Sequence, residues 1–509
     1  MSNDTVPPLA AWTVIRGGRL VEPKQAKPRA ADILIQGDTV HEIGVPGTEV
    51  PEGTQVIDAA GMLLHPGLIN AHTHGHGNLA RGMGDRWTLE LLLTAGPWIS
   101  GNRSVEDKQL TTLIGASEML LKGCTACYDL TFEFPSPSVE GLQAAAAAYK
   151  QVGMRAVLAP MVANLSFFEA IPGLLAALPP RLQKEVERLR LAPTDAILKA
   201  MSDAVKNWKA DSDYVRLAIA PTIPHHCTDD FMIGCRNLAH EHGLPMHSHV
   251  SESKVQVIAG MRTYGTTLTA HLDKLGLIGP DFTVAHGVWL DDDDLRLLGD
   301  KGASVAHNPG SNMRLGSGLA RMRKMLESGV NVGIGTDGSN CSDNQNMYES
   351  MRLASMVSKV QGPDWQNWIT TDEVLHAATV GSAKALGFGG QLGRIAPGYK
   401  ADVVFLDSRH INMIPLNNIT NSLVHAEDGA AVDSVMVGGR MVVKNHKLLH
   451  VDMDKLARDA ENAVDRLDQL NHSNHQLYCE LEPLVGSFCP GLAAEPFHVH
   501  RYGACQHGH

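Results

Sequence analysis

Apolar residues are distributed along this chain in two styles. Residues 12–62 carry short runs at 12–15, 33–35, 40–43 and 55–57, cut by Gly17-Gly18 and Pro51-Glu52-Gly53. Short runs punctuated by turn residues read as strands of a small β unit. From about Pro66 the style changes to unbroken apolar runs alternating with longer segments of helical period. The runs are 67–74, 124–130, 155–162, 215–223, 245–250, 282–288, 304–308 and 330–337. Parallel strands are covered on both faces, so they read as continuous apolar runs. The helical segments include 104–122, 139–152, 194–208 and 229–242. Eight strand–helix repeats predict an α/β fold, a (β/α)8 barrel over 66–390. Residues 179–213 read as a helical insertion before the fourth strand.

Short strands return after Gly390, at 401–406, 434–437 and 440–443, the last two joined through Gly438-Gly439 as a hairpin. They are expected to join residues 1–65, so that 391–450 completes a small β-sandwich domain built from both chain ends. Residues 451–470 have an amphipathic helical pattern. The remainder of 451–509 reads as a polar tail, with six histidines and three cysteines after residue 470.

The ends of the apolar runs carry the chemistry. His72 and His74 close the first run, and His249 closes the fifth with Glu252 just beyond it. His286 follows the sixth, and Asp337 ends the eighth. Residues i and i+2 of a strand share a face, so His72 and His74 can hold one ion. Imidazole and carboxylate together suit zinc or a similar divalent cation. A set of three histidines and Asp337 leaves room for water, the mark of a catalytic rather than a structural site. A cation of this kind lowers the pKa of bound water to roughly 7. Glu252 can move a proton between water, substrate and leaving group. His286 fits either as a ligand or as a group that orients water or substrate, and Asp337 can also accept the water proton. A lone strand histidine is usually a core residue. Five such positions at the mouth of one barrel point to a site.

Composition narrows the partners. Of 509 residues 44% are hydrophobic, enough for a large core and more than one domain. A net charge of −12 without a long basic run argues against nucleic acid and anionic membrane surfaces. Residues 1–11 lack a basic segment followed by an apolar one, so no signal peptide is expected. The apolar stretch 156–178 is broken by Pro160, Asn164, Glu169 and Pro172, so no membrane span is expected. Eight scattered cysteines suit reduced thiols and a cytoplasmic protein.

Pro66-Gly67-Leu68-Ile69-Asn70-Ala71-His72-Thr73-His74 resembles the signature of the amidohydrolase superfamily. His247-Ser248-His249-Val250-Ser251-Glu252 is similar to its fifth-strand motif. Residues 306–312, with Gly335-Thr336-Asp337, resemble the branch of s-triazine chlorohydrolases and of methylthioadenosine, adenosylhomocysteine and guanine deaminases. The segment 393–406 is similar to the return into the small sandwich. The resemblance covers about residues 12–447. It implies one metal ion, zinc or iron, on His72, His74, His249 and Asp337, with Glu252 and His286 in proton transfer and orientation. It places His307, Asn308 and Asn312 near substrate and implies a homodimer or larger assembly. Two departures bear on substrate. Pro221-Thr222 stands where nucleoside deaminases carry Pro-His, with Pro224-His225 three residues on. Gly75-His76 stands where Ala-Pro often follows the first motif.

Other patterns carry less. Gly75 to Ala80 fits G-x-G-x-x-A, but no acidic strand end follows about 20 residues on. Cys124 and Cys127 lie within an apolar run and read as core. His425-Ala426-Glu427 lacks the downstream P-C-x-x-C of the other zinc deaminase class. No G-x-S-x-G elbow occurs. His498, His500, Cys505, His507 and His509 allow a second metal site, although solvated histidines are the simpler expectation.

The expected protein is a metal-dependent hydrolase of carbon–nitrogen bonds acting on a small heterocyclic substrate. Its expected reaction is release of ammonia by metal-activated water. Dechlorination or dealkylamination of a triazine-like ring, or amide hydrolysis, is the alternative. Specificity is expected in the loops, including 75–103, where Trp87 is a candidate to stack on a planar ring.

Overall fold

The computed structural model describes residues 9–503. The two chain ends meet in antiparallel pairings. One sheet runs in the order Thr39–Gly44, Asp32–Gln36, Trp12–Arg16, Gln55–Asp58. A seven-stranded sheet joins Met62–Pro66 to Val403–Asp407, with Leu64 opposite Phe405, and continues through Val432–Val437 and Arg440–Lys444. Ile33 and Ile35 of the first sheet share an apolar cluster with Leu64, Val403, Phe405 and Met436 of the second. The C-terminal strands thus cover the N-terminal unit, as the turn-punctuated pattern at both ends implies.

Between them lie parallel strands in two groups, adjacent in space in their chain order. The first holds Leu68–Thr73, Cys124–Thr131, Arg155–Val162 and Val215–Leu217. The second holds Met246–Val250, Phe282–His286, Ser304–His307 and Asn331–Ile334. Hydrogen bonds connect the groups at both edges. His249 N donates to the Thr222 carbonyl at 2.9 Å, and Asp337 N donates to the His72 carbonyl at 2.9 Å. Ile69, Tyr128, Leu130, Val157 and Ala218 form an apolar cluster with Leu386 and Phe388. A larger cluster joins these strands to the surrounding helices through residues such as Leu120, Tyr149 and Phe231. Helix boundaries follow local chemistry. Ser104 and Asp107 form a reciprocal capping box at the start of Val105–Leu121, and Gly153 and Gly243 end their helices at φ 78° and 62°.

Three expectations change in detail. The fourth run breaks at 218–219 into Val215–Leu217 and Ala220–Pro221. The eighth strand ends at Ile334, and the chain turns sharply to reach Asp337. The largest change is in the tail. After the expected amphipathic helix, Met453–Leu470, a second helix spans His472–Ala493 and packs on Leu89–Ser100. Pro483 and Pro490 lie inside it. Its signal was the spacing of Tyr478, Leu481, Val485, Cys489 and Leu492, all buried. Cys505, His507 and His509 lie outside the described residues.

Arg155 and Asp402 join the parallel strands to the end sheets. Both are buried, with Arg155 Nε 3.4 Å from Asp402 Oδ2, and Asp402 Oδ1 accepts the Gly438 N–H at 2.7 Å. Among the described residues no helix is long and apolar enough to cross a membrane.

Candidate metal centre and its cavity

The strand ends bring the motif residues together. His72, His74 and His249 each offer a ligand atom within 4.8 Å of the others, and so do His72, His286 and Asp337. His74 Nε2 lies 3.1 Å from Asp337 Oδ1, and His72 Nε2 lies 3.5 Å from the same oxygen. His249 Nε2 and His74 Nε2 are 3.3 Å apart. Three of the rings are oriented from behind. His74 Nδ1 donates to the Leu130 carbonyl and His249 Nδ1 to the Thr222 carbonyl, each at 2.7 Å. His286 Nδ1 donates to Asn312 Oδ1 at 2.9 Å. A ring that donates through Nδ1 presents the Nε2 lone pair, so these three aim lone pairs inward.

Such a cluster fits a cation. Facing imidazole lone pairs repel unless a positive charge lies between them, and both ring nitrogens of buried His72 lack a hydrogen-bond partner. The protonation balance agrees. Burial holds His72 down at about 3 and His249 well below the usual imidazole range. Burial also opposes charge on His74 and Asp337, yet their mutual contact overrides it, raising His74 and holding Asp337 well below the carboxylate range. The cluster thus favours neutral imidazoles at His72 and His249 and an ionised carboxylate at Asp337, the forms in which these groups can bind a cation.

Backbone strain marks the same positions. His286 and Asp337 adopt φ of 70° and 65°, and Ser251, just before Glu252, adopts 55°. Left-handed non-glycine residues cost about 1–3 kcal/mol each and persist where surrounding structure over-determines them. Here the turn redirects the side chain at the strand end. Behind Asp337 a buried network supports it. Gln345 Nε2 donates to the Asp337 carbonyl at 2.8 Å and Gln345 Oε1 accepts from Thr73 Oγ1 at 2.7 Å. Asp129 holds the first motif's exit, accepting the Gly75 N–H at 2.7 Å and the Tyr149 hydroxyl at 2.9 Å. Neither Gln345 nor Asp129 carries a sequence signal beyond standing near a motif.

Glu252 is buried, and burial followed by the nearby Asp337 and Glu90 carboxylates pushes its pKa well above the usual range. Its Oε2 lies 3.5 Å from His286 Nε2 and lacks a hydrogen-bond partner. His74, His249, Glu252, His286 and Asp337 all line one cavity of about 610 Å³. His72 sits behind it. Leu92, Phe132, Phe134 and Phe167 give apolar walls, while Arg103, Lys108 and Glu133 give charged ones.

Other predicted contacts fall elsewhere. Trp87 does not line the cavity. Its indole N–H donates to Tyr478 Oη at 2.7 Å beneath the C-terminal helix, so it packs the wall from behind. His307 and Asn308 are buried behind His286, with Asn308 Nδ2 3.4 Å from His286 Nδ1, and neither lines the cavity. Thr222 and His76 do line it, whereas His225 does not. The adjacent His226 does, with Nε2 buried and unpartnered, and the 3-10 turn Pro224–His226 explains the swap. Cys124 and Cys127 are core, and burial pushes the Cys124 thiol up to about 12. Among the described residues no second metal cluster occurs.

Residues 63–442 match the amidohydrolase family. The chain belongs to that family. Related amidohydrolases include a 5-methylthioadenosine/S-adenosylhomocysteine deaminase of Pyrococcus furiosus, 32% identical over 445 residues, 87% of this chain and 98% of that protein. A 5'-deoxyadenosine deaminase of Methanosarcina mazei is 30% identical over 449 residues, 88% and 96% of the two chains. Among solved structures, an adenosine deaminase of Xanthomonas campestris with bound zinc superposes with a TM-score of 0.79 at 26% identity, covering 91% of this chain and all of that one. An atrazine chlorohydrolase of Arthrobacter aurescens superposes equally well, TM-score 0.79, over 89% of this chain and all of that one. At 24% identity that second likeness speaks for the fold alone. This amidohydrolase is thus a metal-binding hydrolase acting on carbon–nitrogen bonds other than peptide bonds.

Proposed function

We propose that the protein is a deaminase that hydrolyses an exocyclic amine from a nitrogen heterocycle, with adenosine-type nucleosides as the leading substrate class. The observation that carries this reading is a buried Glu252, its pKa pushed up by burial, facing the same cavity as His74, His249, His286 and Asp337. The deaminases at 30–32% identity support it. His72, His74, His249 and Asp337 would hold one divalent cation, zinc before iron. When bound, it supplies a Lewis acid that lowers the pKa of water to roughly 7. The chain's own groups manage the protons. Asp337 takes a proton from the incoming water. Glu252 gives its proton to the ring nitrogen beside the reacting carbon, then takes the proton of the newly added hydroxyl and passes it to the leaving amine. The proton on Asp337 returns to Glu252, so that water and amine become carbonyl and ammonia and both carboxyl groups regain their starting states. His286, fixed by Asn312, orients the water and the substrate from the other side.

The same reading includes a closed (β/α)8 barrel, supported by hydrogen bonds at both edges of the two strand groups, and a small β-sandwich around the Ile33–Phe405 cluster. It also includes a homodimer or larger assembly. A cytoplasmic setting is supported by seven described cysteines, all free thiols.

The test is ammonia release by metal-loaded enzyme from a panel of adenosine-type nucleosides, aminopurines, pterins, pyrimidines and triazines. Ammonia from a nucleoside or base is expected. Chloride or a carboxylate as product would replace this reading with the triazine or amide alternative.

A further inference from the structure

The C-terminal helix lies outside the matched residues 63–442, yet it reaches the cavity. Its Asn474 lines the chamber beside helix Leu89–Ser100, which contributes Leu89, Leu92, Gly96 and Pro97 to the wall. That wall helix has an unusual end. It stops at Gly101 in an extended conformation (φ −72°, ψ 162°) rather than in the left-handed turn that lets a chain cap its own last carbonyls. Donors come from elsewhere instead. Asn474 Nδ2 donates to the Pro97 carbonyl at 2.9 Å, and Asn471 Nδ2 donates to the Gly101 carbonyl at 2.9 Å. Asn471 Oδ1 in turn accepts from Asn102 Nδ2 at 3.0 Å. Arg103 caps the Ile99 carbonyl at 2.8 Å and also donates to the His76 carbonyl, two residues past the ligand His74. A stack of His475 on Trp98, centroids 4.0 Å apart, holds the two helices face to face.

We infer that Asn471 and Asn474 are positioning residues for substrate: by capping the wall helix from another part of the chain, they fix the face against which substrate binds. The inference builds on the catalytic cavity proposed above and goes beyond it. The metal ligands are anchored separately, through the Leu130 and Thr222 carbonyls. Loosening the wall should therefore weaken substrate binding and leave the metal in place. Gly101 is part of the joint, since a Cβ there would collide with the Pro97 carbonyl and lie 2.7 Å from Asn471 Oδ1.

The test compares Asn474→Ala, Asn471→Ala and the conservative Asn474→Gln with the wild-type holoenzyme. Metal content, kcat, KM and amide hydrogen exchange over 89–103 are measured. Expected for both alanine variants are faster exchange confined to this segment, KM raised about tenfold, kcat within about twofold and full metal content, with partial recovery in Asn474→Gln. Should the alanine variants fold poorly, Gly101→Ala disturbs the same joint from the other side and should give the same split. Unchanged exchange and KM would overturn the inference, and so would a fall in kcat that tracks loss of metal. Hydrogen exchange needs no substrate, so the wall can be judged even if no panel compound releases ammonia. That last result would count against the deaminase reading alone.

Discussion

The metal cluster and the cavity wall are built on opposite principles. In the cluster, the side chains sit at strand ends or in the turn just beyond them, and His74 and His249 are steered by the Leu130 and Thr222 carbonyls. In the wall, helix Leu89–Ser100 is held by side chains of a helix that starts at His472. The cluster is rigid because sheet ladders and strained turns at His286 and Asp337 leave it few alternatives. The wall helix packs on the C-terminal helix through an apolar cluster, but its last turn is capped by a few amide–carbonyl bonds, each worth only about 0.5–1.5 kcal/mol net. The cluster is thus tied to the scaffold, while the end of the cavity wall hangs on contacts that can change without unfolding it.

The strongest way to break this contrast is to remove a ligand. His74→Ala should lose metal, read by elemental analysis, and lose turnover beyond the ~10²–10⁴-fold typical of deleting a proton carrier. If turnover survived without metal, the cluster would not be the catalytic centre. Next in size is Glu252→Gln, which keeps shape and metal but cannot release a proton. Its kcat should fall by about 10²–10⁴-fold at full metal content, and near-normal turnover would remove Glu252 from the mechanism.

A third change asks whether the scaffold can be weakened while both regions stay intact. Arg155→Leu leaves Asp402 buried without its partner, which should cost about 3–5 kcal/mol in urea unfolding. Below the unfolding transition kcat and KM should hold, and a changed KM would mean that wall and scaffold are coupled. The smallest effect sharpens the wall itself. A Cβ at Gly96 meets nothing within 4 Å. Gly96→Ala should stabilise the helix by up to ~1 kcal/mol, whereas Gly96→Leu should crowd the chamber and raise KM for bulky substrates more than for small ones.

The cluster was legible because its residues lie in contiguous motifs. His72 and His74 alternate on one strand, and Glu252 follows His249 by three residues, so a linear reading finds them. Asp129 and Gln345 were not legible, because each matters only through a partner far along the chain. Trp87 shows the limit of residue type. A tryptophan in a substrate loop suggests stacking, yet a tyrosine from the last long helix claims its indole N–H. The helix itself was missed because its histidines and polar residues read as a tail, although five apolar residues keep helical spacing across Pro483 and Pro490.

Sequence alone determined the alternation of strands and helices, the pairing of the two end segments and which histidines and carboxylates gather at the strand ends. Each rests on local periodicity or on a motif within one strand end. Tertiary structure decided which groups face the cavity: His226 rather than His225, Asn474 rather than Trp87. It also decided the upward pKa shift of Glu252, because burial is a property of everything packed around a residue. That information is spread over distant segments, and no single stretch of the chain contains it.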